Sequence, residues 1–128
     1  MSQRARLVAA GGALALQMLV LYAPSAPDVG QSALPLDKVV HAAVFALATY
    51  TLAAAGVPLG WVVGLMSAHA VVSELVQHRV LADRAGEPAD VAADLVGVAI
   101  GVLLVRIRRR PRRASPQWDD RSHRGARS

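Results

Sequence analysis

Three short polar clusters interrupt a chain otherwise rich in Ala, Val and Leu: Asp37-Lys38-x-x-His41, Ser73-Glu74-x-x-Gln77 and Arg84-x-x-Glu87-x-x-Asp90-x-x-x-Asp94. On helices, Asp37 and His41 (four apart), Lys38 and His41 (three), Glu74 and Gln77 (three), and Asp90 and Asp94 (four) each share one face. Lys38 and Arg84 can hold an anionic group such as a phosphate, with His41, Gln77 and Glu74 supplying hydrogen bonds. His41 or Glu74 can instead act as general base in a hydrolase or transferase, the two basic groups stabilising charge in the transition state. Imidazole with the carboxylates of Glu74, Asp90 and Asp94 also suits zinc or a harder cation. Neither His69 nor His78 forms HExxH with a glutamate, and no serine sits in a nucleophile-elbow pattern. The sequence therefore favours a non-enzymatic binding site, with no cofactor and no metal. A desolvated Glu74 would be protonated unless a cation or donor lies close, so Glu74 is expected to pair with Lys38 or Arg84. A third reading makes all these groups staples of helix register. Interhelical hydrogen bonds in membranes average only about 0.6 kcal/mol, a small stabilisation for groups so costly to bury.

The elements that must position these groups follow from the apolar runs at 7–23, 39–55, 59–76 and 91–105. Each is near the ~20 residues that a spanning helix needs. Hydrophobic residues make up 54% of the 128 residues, and mean hydropathy is +0.37. A soluble domain of that composition would expose large apolar surfaces, which monomeric proteins avoid. The runs lack the period-two alternation of barrel strands. The fold class is thus an all-α integral membrane protein, four transmembrane helices in an antiparallel bundle at about 7–23, 37–55, 59–77 and 90–105. Residues 1–105 form the transmembrane domain, and 106–128 a basic, disordered cytoplasmic tail.

Charge orients the bundle. Arg4 and Arg6 precede the first run, nine arginines follow the fourth, and only Lys38, Arg79 and Arg84 of the 14 basic residues lie elsewhere. Seven of the nine acidic residues lie between Asp28 and Asp94. The positive-inside rule places both termini in the cytoplasm, as an even number of spans requires. All three clusters then meet at the outer side, in a pocket lined by inward-pointing faces. The basic tail favours anionic lipid headgroups rather than nucleic acid. With no cysteine in the chain, disulfides and thiolate metal sites are excluded.

The connections fit this plan. Residues 24–36 carry three prolines and a glycine and form an irregular outer loop. Ala23-Pro24-Ser25-Ala26 resembles a signal-peptide cleavage site, but the preceding apolar run exceeds the usual leader core, which favours a retained helix. Gly56-Val57-Pro58 is a tight break that makes the second and third helices antiparallel neighbours. Gly56, Gly60 and Gly64, and Gly97 and Gly101, recur at four-residue spacing, which allows close helix approach. For Gln17, Ser67 and His69 helix–helix contact is the simpler role. For His78 and Arg79 it is interfacial snorkelling.

The ordered set Asp37-Lys38-Val39-Val40-His41, Ser73-Glu74-Leu75-Val76-Gln77 and Arg84-Ala85-Gly86-Glu87-Pro88-Ala89-Asp90, followed by Ala93-Asp94-Leu95-Val96-Gly97, resembles the VanZ-like family. These are small bacterial membrane proteins named for a member associated with teicoplanin resistance. The resemblance covers roughly residues 7–105. It implies a four-span fold and a role in the cell envelope: binding a polar or lipid-linked anionic ligand at the outer side and modifying glycopeptide sensitivity. It implies no reaction. Where the family commonly has Asn, this chain carries Asp94, an added negative charge that can alter pairing or ligand preference.

Overall fold

The computed structural model describes residues 1–22, 36–80 and 88–110. Local chemistry sets the helix ends. Ser2 caps the first helix: its Oγ accepts the Ala5 N–H at 3.2 Å and its carbonyl accepts the Arg6 N–H at 3.2 Å. Helix α1 then runs Gln3–Tyr22 and α2 runs Leu36–Ala55, with Asp37 in its first turn. Gly56, at φ +106°, ends α2. Its N–H donates to the Ala53 carbonyl and that of Val57 to the Leu52 carbonyl, the paired bonds of a Schellman motif. Pro58 opens α3, its carbonyl accepting the Val62 N–H at 3.1 Å. Helix α3 spans Leu59–Val80, and α4 spans Pro88–Arg109 with proline at its first position, where no N–H is needed.

All four helices are longer than their apolar runs, and the added turns that matter most are at the ends bearing the chain termini. Helix α1 starts at Gln3 rather than 7, and α4 ends at Arg109 rather than 105, so the first residues of the expected tail are helical. Both added turns carry arginine. Arg has high helix propensity, and its aliphatic stem can lie along apolar surface while the head reaches water. Hydropathy marks where the apolar content stops, not where the helix does. Residues 111–128 lie outside the described residues.

Each of the four helices is long and apolar enough to cross a membrane, and the chain is a multi-pass membrane protein with four candidate spans. Large apolar side chains such as Leu19, Trp61, Val72 and Leu103 point outward, where a bilayer would cover them. Side-chain contacts fix an up–down–up–down order. At one end Gln3 Nε2 donates to the Ala55 carbonyl at 2.8 Å, and Arg109 Nη2 to the Ala53 carbonyl at 3.3 Å. At the other, Gln77 Nε2 donates to the Leu21 carbonyl at 2.8 Å.

Helix α2 is central and touches all three others, most extensively α4. Alternate helices of an up–down bundle are parallel, so the tightest seam joins two parallel helices far apart in sequence. Phe45, Ala48, Val62, Met66, Ala70 and Val98 belong to the core around it. Glycine makes the seam close. A Cβ on Gly97 would collide with the Ala42 carbonyl oxygen and stand 2.9 Å from Ala42 Cα. One on Gly101 would stand 2.6 Å from Thr49 Cβ and 2.8 Å from the Ala46 carbonyl oxygen. Gly60 and Gly64 have no such neighbour within 4 Å. The four-residue glycine spacing therefore brings backbones together in α4 and not in α3.

Gly97→Val should lower unfolding stability in detergent by about 1–3 kcal/mol or prevent assembly, since the Ala42 backbone cannot yield as a side-chain tip can. Gly64→Ala should be neutral or stabilising by up to ~1 kcal/mol through helix propensity. Thermal unfolding of the two variants, each against wild type, checks the contrast.

Candidate functional site

At the end of the bundle where α2 and α4 begin, two cross-helix pairs extend the glycine seam. Lys38 Nζ lies 3.2 Å from Asp90 Oδ1, the lysine side chain 34% exposed and the aspartate 8%. One turn deeper, His41 Nδ1 lies 3.0 Å from Asp94 Oδ1, with both side chains at most 3% exposed. Asp37, at 57% exposure, stands at the mouth with Oδ1 4.0 Å from His41 Nε2. The spacings of three in α2 and four in α4 lay these pairs on facing stripes, with Ala42 against Gly97 as the next contact inward. The rim pair is partly exposed through Lys38, and the deeper pair is sealed.

Helix α3 contributes differently. Gln77 satisfies the Leu21 carbonyl, one of the four orphan acceptors at the end of α1, and so ties α1 to α3. Ser73 Oγ donates to its own helix at the Ala70 carbonyl, 3.0 Å away. Glu74 has both carboxylate oxygens shielded from solvent and, among the described residues, neither hydrogen-bonded. It lies in the electrostatic field of Asp90, His41, Asp94 and Asp37. The expected pairing of Glu74 with Lys38 is not formed, because Lys38 meets Asp90 across the α2–α4 seam. Arg84 and Glu87 lie outside the described residues.

His69 sits deeper and joins α1 to α3. Its Nδ1 is 3.3 Å from Gln17 Nε2, its Nε2 is 3.3 Å from the Tyr22 hydroxyl, and its ring centroid is 5.6 Å from that of Phe45. Gln17 and His69 are thus the helix-contact residues that their positions mid-run imply. Tyr22 is the member of this network that sequence reasoning missed. Its signal was its place at the end of an apolar run, where a hydroxyl-bearing ring can reach a polar partner.

The chemistry of this end is weighted toward unused acceptors. Among the described residues, Glu74 Oε1 and Oε2 and Asp94 Oδ2 are shielded and unbonded, and Asp90 Oδ1 has its ion pair without hydrogen-bond alignment. Buried acceptors of this kind call for donors. Among the described residues no group of three or more His, Cys, Asp or Glu side chains is placed to hold a metal ion. The metal variant of the sequence reading thus finds no assembled ligand set there. No protein-family model, curated protein or solved structure matches the chain.

Glu74→Gln should preserve or raise stability, because it replaces an acceptor-only group lacking a partner with one that can also donate. Lys38→Ala should lower stability by about 3 kcal/mol, since it strips a largely buried Asp90 of its cation. Unfolding of each purified variant, compared with wild type, measures both effects.

Proposed function

We propose that the chain is a VanZ-like protein of the bacterial cell envelope, with both termini cytoplasmic and its polar end facing outward. There it binds a polar, lipid-linked ligand and modifies sensitivity to glycopeptides such as teicoplanin. The order of the DKxxH, ExxQ and RxxExxD motifs supports the family. The concentration of arginine before α1 and after α4 supports the orientation.

The observation that carries a binding role is Glu74, a shielded carboxylate with neither oxygen bonded, beside the cross-helix pairs. Ionisable groups inside membrane helices are costly, and one left without a partner is poorly explained as a staple. Its chemistry refines the ligand. Lys38, His41 and Gln77 already have partners in Asp90, Asp94 and the Leu21 carbonyl, so the unmet demand is for donors. A ligand bringing hydroxyl or amine groups to Glu74, with its anionic part at the partly exposed Lys38 and at Arg84, meets that demand. One observation favours a second reading: His41 has one ring nitrogen held by a buried aspartate, an arrangement that also orients a general base. Consumption of a bound ligand would distinguish catalysis from binding.

Expression in a glycopeptide-susceptible bacterium tests the role. Wild type should raise the inhibitory concentration of teicoplanin, and Glu74→Gln at equal membrane level should not. Equal concentrations with and without the wild-type chain overturn the antibiotic role. Retained resistance in Glu74→Gln removes Glu74 from the site. Orientation is tested separately with single cysteines at Ser32, Ala85 and Ala114 in this cysteine-free chain and an impermeant maleimide on intact cells. Labelling at Ser32 and Ala85 alone fits the proposal, and labelling at Ala114 alone inverts it.

A further inference from the structure

We propose that the opposite end of the bundle contains an anion site: a cleft between α1, α2 and α4 that binds a phosphate oxyanion. The cleft has a volume of about 220 Å³ and is lined by Arg6 of α1, Tyr50 of α2, and Arg108 and Arg109 of α4. Among the described residues no acidic side chain lines it. Two of the guanidinium groups are held in place. Arg108 Nη1 donates to the Tyr50 hydroxyl at 2.8 Å, with its guanidinium carbon 5.9 Å from the ring centroid, and Arg109 Nη2 donates to the Ala53 carbonyl at 3.3 Å. Each such bond uses one of the five N–H donors of an arginine. Arg6 has its Nε shielded from solvent and, among the described residues, unbonded.

Arginine near a membrane surface commonly reaches headgroups one side chain at a time. This cleft differs in two respects. Positive charge from opposite ends of the sequence is gathered around a single volume with no counter-charge among the described residues. The Arg6 guanidinium, which lines the same volume, also has no hydrogen bond at its Nε among the described residues, so no described acceptor holds it away from an oxyanion. Phosphate fits the chemistry, because its oxygens accept paired N–H donors from arginine. The phosphate of an anionic lipid headgroup and a soluble phosphate share that chemistry. The site is separate from the Glu74 end and does not depend on the function assigned there.

Thermal unfolding of the full chain in detergent tests the site, with short-chain phosphatidylglycerol, short-chain phosphatidylcholine and inorganic phosphate as probes. Phosphatidylglycerol or inorganic phosphate should raise the unfolding temperature, and phosphatidylcholine, whose choline offsets the charge, should do so less. A response to phosphatidylglycerol alone assigns a lipid headgroup, and a response to inorganic phosphate assigns a soluble anion. R6Q/R109Q should weaken the response by roughly tenfold or more per arginine in apparent affinity. R112Q/R113Q, which removes the same charge from the tail, should weaken it far less. R6K/R109K keeps the charge, guards against loss of folding, and should weaken binding because lysine lacks the planar donor fork. Absence of any response in wild type, a phosphatidylcholine response as large as that to phosphatidylglycerol, or equal loss in the cleft and tail variants overturns the proposal.

Discussion

The buried contact between His41 and Asp94 is the constraint around which the bundle is arranged. Two ionisable side chains at most 3% exposed within candidate membrane spans are tolerated only if they meet each other. Meeting requires α2 and α4 to approach closely at that depth. The neighbouring residues answer this requirement, with Gly97 and Gly101 admitting the backbone of α2 where any side chain would collide. In lipid no hydrophobic driving force draws the helices together. Shape and polar pairing must do it. The parallel seam supplies both, with the Lys38–Asp90 rim pair above and glycine contact below.

Outside this seam, polar links tie α3 to α1 and α1 to α2. Gln77 reaches the end of α1, His69 meets Gln17 and Tyr22, and Gln3 reaches the end of α2. Most of these links satisfy backbone carbonyls at helix ends or buried side chains, which in a bilayer have no water to turn to. Glu74 stands apart, being placed among these groups and bonded to none. The two ends of the molecule therefore differ in kind. One gathers carboxylates with unused acceptors, and the other gathers arginines with unused donors.

Much of the fold was legible because membrane helices write themselves as long apolar runs with polar exceptions. The spacing of Asp90 and Asp94, and of Lys38 and His41, showed which groups share a face. The pairing did not follow from spacing. Choosing Asp90 rather than Glu74 as the partner of Lys38 depends on which helices are neighbours, and the closest pair is α2 with α4 rather than the tightly connected α2 with α3. Identical glycine spacings in α3 and α4 proved unequal for the same reason: a small residue matters only where another helix approaches. The terminal turns of α1 and α4 were hidden by their arginines, which end hydropathy without ending helix.

A double-mutant cycle between His41 and Asp94, using unfolding free energies of His41→Ala, Asp94→Ala and the double variant in a membrane mimetic, addresses the seam most directly. A coupling above about 1 kcal/mol, beyond the ~0.6 kcal/mol average of interhelical hydrogen bonds in membranes, is the predicted result. Additive effects within about 0.5 kcal/mol would contradict it, and would mean that α2 and α4 are held by packing alone.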